Sequence, residues 1–255
     1  DQPRSRGLGD VYKRQVHGPW WPPVNKWADG KRGLYLAVLE EMDRQLGKLF
    51  DHIRSDRELR DNTLILICSD NGPEPGAGSA GPFRGGKTTL YEGGTRSPLI
   101  VWGPGLIEKS KAGSHDESSV FAAFDLAPSL LAIAKIESQS VSFDGENIAP
   151  ALIGQSKASR SAPLFWRRPP DRKTASDKLP ERLPDLAMRE EEWKLLCEYD
   201  GTKPQLYDLA KDRGESINMA DQYPEFVLRM TQRLLAWHQS MPPDNGSALA
   251  KEPAK

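Results

Sequence analysis

Residues 64–76 read LILICSDNGPEPG, an apolar run that breaks off at a carboxylate, an amide and a glycine. Leu64, Ile65, Leu66, Ile67 and Cys68 show no alternation of polar and apolar residues, the pattern of a short strand covered on both faces. In open α/β sheets, ligands bind beyond the carboxyl ends of strands. Asp70 and Asn71 stand at such an end, and a carboxylate beside an amide carbonyl is a hard-oxygen pair suited to Ca²⁺ or Mg²⁺. Gly72 lets the chain turn sharply away. The same tripeptide is also a common turn with no ligand at all, so the surroundings have to decide.

Upstream, residues 31–55 place Leu34, Val38, Leu39, Met42, Leu46, Leu49, Phe50 and Ile53 at helical spacing, which predicts one long amphipathic helix. Before it, residues 16–30 are rich in Pro, Trp and Gly and read as an ordered loop. Downstream, residues 99–102 form a second apolar run, after Pro98 and before a Gly-Pro-Gly turn. A helix, a strand, a long glycine-rich loop and another strand predict a layered α/β core. Further on, EEWKLLCEYDG and PQLYDLA predict two strands joined by a turn at Asp200 and Gly201. Phe226, Val227, Met230, Leu234 and Trp237 mark a second amphipathic helix.

The bulk properties exclude several functions. In a chain of 255 residues, 35 Lys+Arg against 36 Asp+Glu leave a net charge of -1, so no global basic field points to nucleic acid. No apolar stretch reaches the roughly 18 residues of a membrane span. The two cysteines, Cys68 and Cys197, have no metal or disulfide spacing and are expected in the core. Residues 1–15 lack an apolar period, resemble translated adapter sequence and are expected to be a non-native leader, a mobile natural terminus being the alternative. Residues 167–185 are densely charged and read as a solvated insertion.

The segment from Ser69 to Gly105, SDNGPEPGAGSAGPFRGGKTTLYEGGTRSPLIVWGPG, resembles type I sulfatases of the alkaline phosphatase superfamily, notably arylsulfatase-like and N-acetylgalactosamine-6-sulfatase-like members. There an Asp-Asn-Gly turn is followed by a Gly-rich loop, GGK, then EGG-x-R-x-P and an apolar strand. HGPWWPP fits the family's histidine loop, FDLAPSLLAIA its helix beyond the core strand, and FDGENIAPALIG, APLFWRR and residues 192–220 its closing segments. The resemblance implies an alkaline-phosphatase-like layered α/β sheet core, its N-terminal part missing, with a small C-terminal α+β subdomain. The boundaries expected are 16–160 for the core, 161–241 for the subdomain and 242–255 for a flexible tail.

Carried over by resemblance, Asp70 and Asn71 are two ligands of a divalent cation, normally Ca²⁺, and Lys87 and His17 bind the sulfate ester and assist its cleavage. Alone, Lys87 reads equally as a solvated surface charge, and His17 as a residue that fastens its own loop. Trp20, Trp21 and Trp27 could stack on a sugar ring or plug the loop from beneath. Glu92 and Arg96 read as a structural turn with a local ion pair, and Arg84 has no fixed role in the pattern.

The family's nucleophile is a formylglycine made from the first residue of a Cys/Ser-x-Pro-x-Arg motif. Cys68, Cys197 and every serine here lie outside such a motif, so the precursor is expected upstream and the chain is expected to be a C-terminal fragment inactive alone. The implied substrate is a sulfated small molecule or glycan and the implied location periplasmic or secreted. A phosphodiesterase or phosphonate hydrolase of the superfamily, or a non-catalytic sulfated-glycan binder, are the alternatives.

Overall fold

The computed structural model describes residues 27–137, 141–168 and 183–242. Helix α1 spans Trp27–Ser55. It begins four residues ahead of the expected start, inside the segment read as loop: the polar Asn25-Lys26 pair ends the proline cluster, and no proline follows to block helical hydrogen bonds. Its stripe is buried at Leu34 and Ile53 and partly buried at Val38, Leu39, Leu46 and Phe50, while Met42 and Leu49 are exposed. Asp56 then caps α2, Arg57–Asn62, its carboxylate accepting the amides of Glu58 and Leu59.

Strand β1, Ile65–Cys68, and strand β2, Leu99–Trp102, pair antiparallel, with Ile65 opposite Trp102 and Cys68 opposite Leu99. Phe50 of α1 meets Trp102 edge-on at 4.9 Å and fixes the helix against this ribbon. Between the strands lies the short helix α3, Glu92–Thr95. Two expectations fail here. The strands are not covered on both faces, because among the described residues nothing shields Ile100, and Cys68 is exposed rather than a core residue. Cys68 is the last residue of its strand, at the point where the chain leaves for the Asp70 turn.

Helix α4, Leu126–Ile133, and the single turn α5, Ala149–Leu152, follow. They are joined by the buried Asp125, whose carboxylate accepts the amides of Ala122 and Glu146, while Nη1 of Arg160 lies 3.1 Å from both of its oxygens.

The second sheet is antiparallel, in the order β3 (Leu164–Arg167), β4 (Leu186–Glu190), β5 (Trp193–Cys197), β6 (Gln205–Asp208). The turn expected at Asp200 and Gly201 joins β5 to β6, and Gly201 supplies a φ of 83° there. Strand alternation divides the sheet into two faces. Leu186, Met188, Leu195, Cys197 and Leu206 face α6, Pro224–Ser240, and its buried Val227, Met230 and Leu234. Ala187, Leu196 and Tyr207 point the other way and meet Leu90 and Tyr91, which lead into α3. The sheet is thus sandwiched between its own helix and the long loop after β1.

The ends of the charged stretch also differ from expectation. Asp185 is buried, and Arg168 binds it at 3.0 Å while its amide donates to the Asp185 carbonyl. Continuing the β3–β4 ladder by one pair draws both residues under the sheet, where a charge is tolerated because it is paired. The interior of that stretch, residues 169–182, lies outside the described residues.

Candidate functional site

The turn after β1 is built by backbone packing. Gly72 donates to Gly94 of α3 at 2.9 Å, and a Cβ on Gly72 would lie 1.7 Å from the Gly93 carbonyl oxygen. Only glycine lets the two segments come this close. Asn71 donates its Nδ2 to the Gly72 carbonyl at 2.8 Å, which holds the amide and leaves Oδ1 without that duty. Asp70 is exposed beside it. The turn therefore carries two adjacent side chains with hard oxygens, Asp70 exposed and Asn71 half-buried. Among the described residues no group of three or more His, Cys, Asp or Glu side chains gathers as a metal cluster.

Lys87 reaches the same turn from the other side of the loop. Its amide donates to the carbonyl of Pro73 at 3.0 Å, three residues beyond Asp70. Its ammonium, about half exposed, lies 3.7 Å from Glu74, whose other carboxylate oxygen is 3.3 Å from Lys31 of α1. Lys31 also donates to the Pro75 carbonyl at 2.7 Å. Sequence reading missed Glu74, although it stands two residues after Gly72. An acidic residue between prolines carries no periodic signal, and the lysines it joins are remote in sequence. His17 lies outside the described residues, as do Trp20, Trp21 and the side chain of Trp27.

Arg84 and Glu92 are structural. Arg84 donates to the Tyr207 hydroxyl at 2.9 Å and the Glu215 carbonyl at 3.0 Å and lies over the ring of Tyr91. Glu92 is 3.7 Å from Arg96, the local pair expected, but it is closer to Lys194 at 2.9 Å and Arg189 at 3.3 Å. Lys194 and Arg189 are register partners on facing strands. Like charges so placed repel unless a carboxylate comes between them. Burial opposes ionisation of Glu92, yet Lys194, Arg189 and Arg96 outweigh it and hold its pKa below the usual range. For Glu215 burial wins over Lys194, and its pKa is raised. A lysine within the apolar WKLLC run was the sequence signal for this network.

Two family models match the chain: "Sulfatase" over residues 12–136 and "N-sulphoglucosamine sulphohydrolase, C-terminal" over residues 83–240. The chain belongs to the sulfatase family. The chain is 32% identical to human arylsulfatase A over 204 residues, 74% of the chain and 39% of that protein. It is 28% identical to an N-acetylgalactosamine-6-O-sulfatase of Bacteroides thetaiotaomicron, covering 89% of the chain and 45% of that protein. It therefore spans less than half the length of these curated relatives. Among solved structures, Ps i-CgsB in complex with k-i-k-neocarrahexaose matches with a TM-score of 0.64 at 26% identity, over 87% of this chain and 47% of that one. A phosphonate monoester hydrolase of Agrobacterium radiobacter matches with a TM-score of 0.56 at 26% identity, over 82% and 41%. The layered core expected from sequence is thus the alkaline-phosphatase-like fold of the sulfatases.

Proposed function

We propose that this sulfatase chain supplies the cation turn and the sulfate-holding lysine of an enzyme that hydrolyses sulfate esters of carbohydrates. The observation that carries the reading is the backbone tie between the turn at Asp70–Gly72 and the loops at Lys87 and Gly94. It supports the reading by tying the Lys87 backbone to Pro73, three residues beyond Asp70, at the end of β1.

In this reading Asp70 and the Oδ1 of Asn71 hold a Ca²⁺ ion. They fit such an ion in chemistry but supply two of the roughly six to eight oxygens it takes, so the remaining ligands come from elsewhere in the enzyme. Bound there, the ion would neutralise negative charge on the ester oxygens. Lys87 holds the sulfate as a compact cation and stabilises the charge that grows as the ester bond breaks. Glu74 sets where that cation rests before substrate arrives. His17 hydrogen-bonds the sulfate and assists the leaving oxygen. The attacking oxygen belongs to a formylglycine hydrate, whose precursor motif does not occur in these 255 residues.

Titrating N-acetylgalactosamine 6-sulfate into the labelled chain with Ca²⁺, followed by NMR, tests the reading. Amide shifts should concentrate at residues 70–74 and 84–88 and vanish in Lys87→Ala, while an aryl sulfate is left unhydrolysed. Shifts elsewhere, or unchanged in Lys87→Ala, overturn the site, and sulfate release that Lys87→Ala abolishes overturns the external nucleophile. The phosphonate hydrolase neighbour favours a second reading with a phosphonate ester at the same turn, and phenyl phosphonate shifting these amides at lower concentration than the sugar would establish it.

A further inference from the structure

The strongest contacts of the Lys87 loop run toward the C-terminal sheet. Lys194 of β5 is wholly buried between two carboxylates, Glu92 at 2.9 Å and Glu215 at 3.3 Å, the latter close enough for charge attraction without an aligned hydrogen bond. The second oxygen of Glu215 accepts the Glu92 amide at 2.6 Å. Lys194 also reaches the Thr95 hydroxyl at 3.4 Å, so one ammonium touches both ends of α3. Tyr91, just before α3, donates to Gln205 of β6 at 2.9 Å.

What α3 then holds is the candidate site. Gly94 accepts the amide of Gly72, next to Asn71, and the Gly93 amide donates to Arg84, three residues before Lys87, both at 2.9 Å or less. A buried lysine facing two acids is a poor device for stability alone, since apolar residues of similar volume commonly do as well. It does fix one register, because that register alone sets Lys194 between Glu92 and Glu215.

We propose that Lys194 is a positioning residue. Through Glu92 and Glu215 it clasps α3, and α3 in turn sets the Asp70–Gly72 turn and the Lys87 loop relative to each other. The proposal rests on the site assignment above and makes Lys194 act on the sulfate through α3, never by touching it.

Segment-resolved hydrogen exchange on the full chain, with N-acetylgalactosamine 6-sulfate titration beside it, tests this. In Lys194→Met, amides of Gly72, Lys87, Gly93 and Gly94 should exchange about tenfold faster or more, while those of Met230 and Leu234 in α6 change less than about threefold. Sugar affinity should fall about tenfold at a temperature where circular dichroism remains native. If Lys194→Met does not fold, Glu215→Gln, which keeps the Lys194–Glu92 pair, is held to the same pattern. Equal acceleration in α6, no acceleration at Gly72 and Lys87, or unchanged affinity despite accelerated exchange overturns the proposal. A wild-type chain that gives no sugar shifts at all counts against the proposed function only, and the exchange contrast still decides the clasp.

Discussion

Replacing Gly72 by alanine asks how tightly the turn is held. The new Cβ would stand 1.7 Å from the Gly93 oxygen, 2.7 Å from its carbonyl carbon and 2.9 Å from the Gly94 Cα. Relief to ordinary contact needs a shift of about 1.5 Å or more. Helix α3 cannot withdraw, since Gly93 and Gly94 are themselves pressed against the carbonyls of Arg84 and Thr89, and Glu92 is anchored behind them. The turn must therefore open, which strands the Gly72 amide. Overpacking costs about 1–3 kcal/mol and an unsatisfied buried amide about 1–3 kcal/mol, together about 2–6 kcal/mol. Gly76 is the internal control: its φ is +75° but an added Cβ meets nothing within 4 Å, so Gly76→Ala should cost only the left-handed strain of about 1–2 kcal/mol. Urea unfolding followed by tryptophan fluorescence compares the two. If Gly72→Ala costs no more than Gly76→Ala, the close approach of turn and helix is wrong.

The exposed Cys68 should take one equivalent of iodoacetamide at pH 8. Cys197, its thiol pushed up to about 12 by burial and then by Asp200, Asp185 and Glu198, should react only after unfolding, and equal rates in the folded chain would contradict the packing of β5. Leu234→Ala removes a fully buried side chain from the α6 contact and should lower unfolding free energy by about 2–5 kcal/mol in denaturant titration. Glu146 accepts the amides of Ser161 and Ala162, which lower its pKa from 4.5. Its contribution is therefore complete above about pH 4.5 and lost as pH falls through the lower folded value, so Glu146→Gln should flatten the acid limb of a stability profile, and an unchanged limb would refute the assignment.

Periodicity exposed the elements that bury one face. Helix α6 lies where Phe226, Val227, Met230, Leu234 and Trp237 place it, because its stripe covers a single sheet face. Strands β3 and β4 were not legible. LAMREEEWKLLC reads as continuous sequence because its reversal uses Glu191 at a φ of 53° instead of a glycine or asparagine. The proposed site was half legible. Asp70, Asn71 and Lys87 carry motif spacing, whereas Glu74, Lys194 and Glu215 acquire their meaning only from partners that the fold brings in from elsewhere in the chain.

Glu92 is bound by an acid 123 positions later and a lysine 102 positions later. At roughly 5–20 residues per second, translation leaves Glu92 waiting about 6–25 s for Glu215 to be made. The turn proposed to hold the cation is thus among the last features to set during biosynthesis. Nascent chains stalled before residue 215 should be cut by trypsin at Arg84 or Lys87, and released full-length chains should resist.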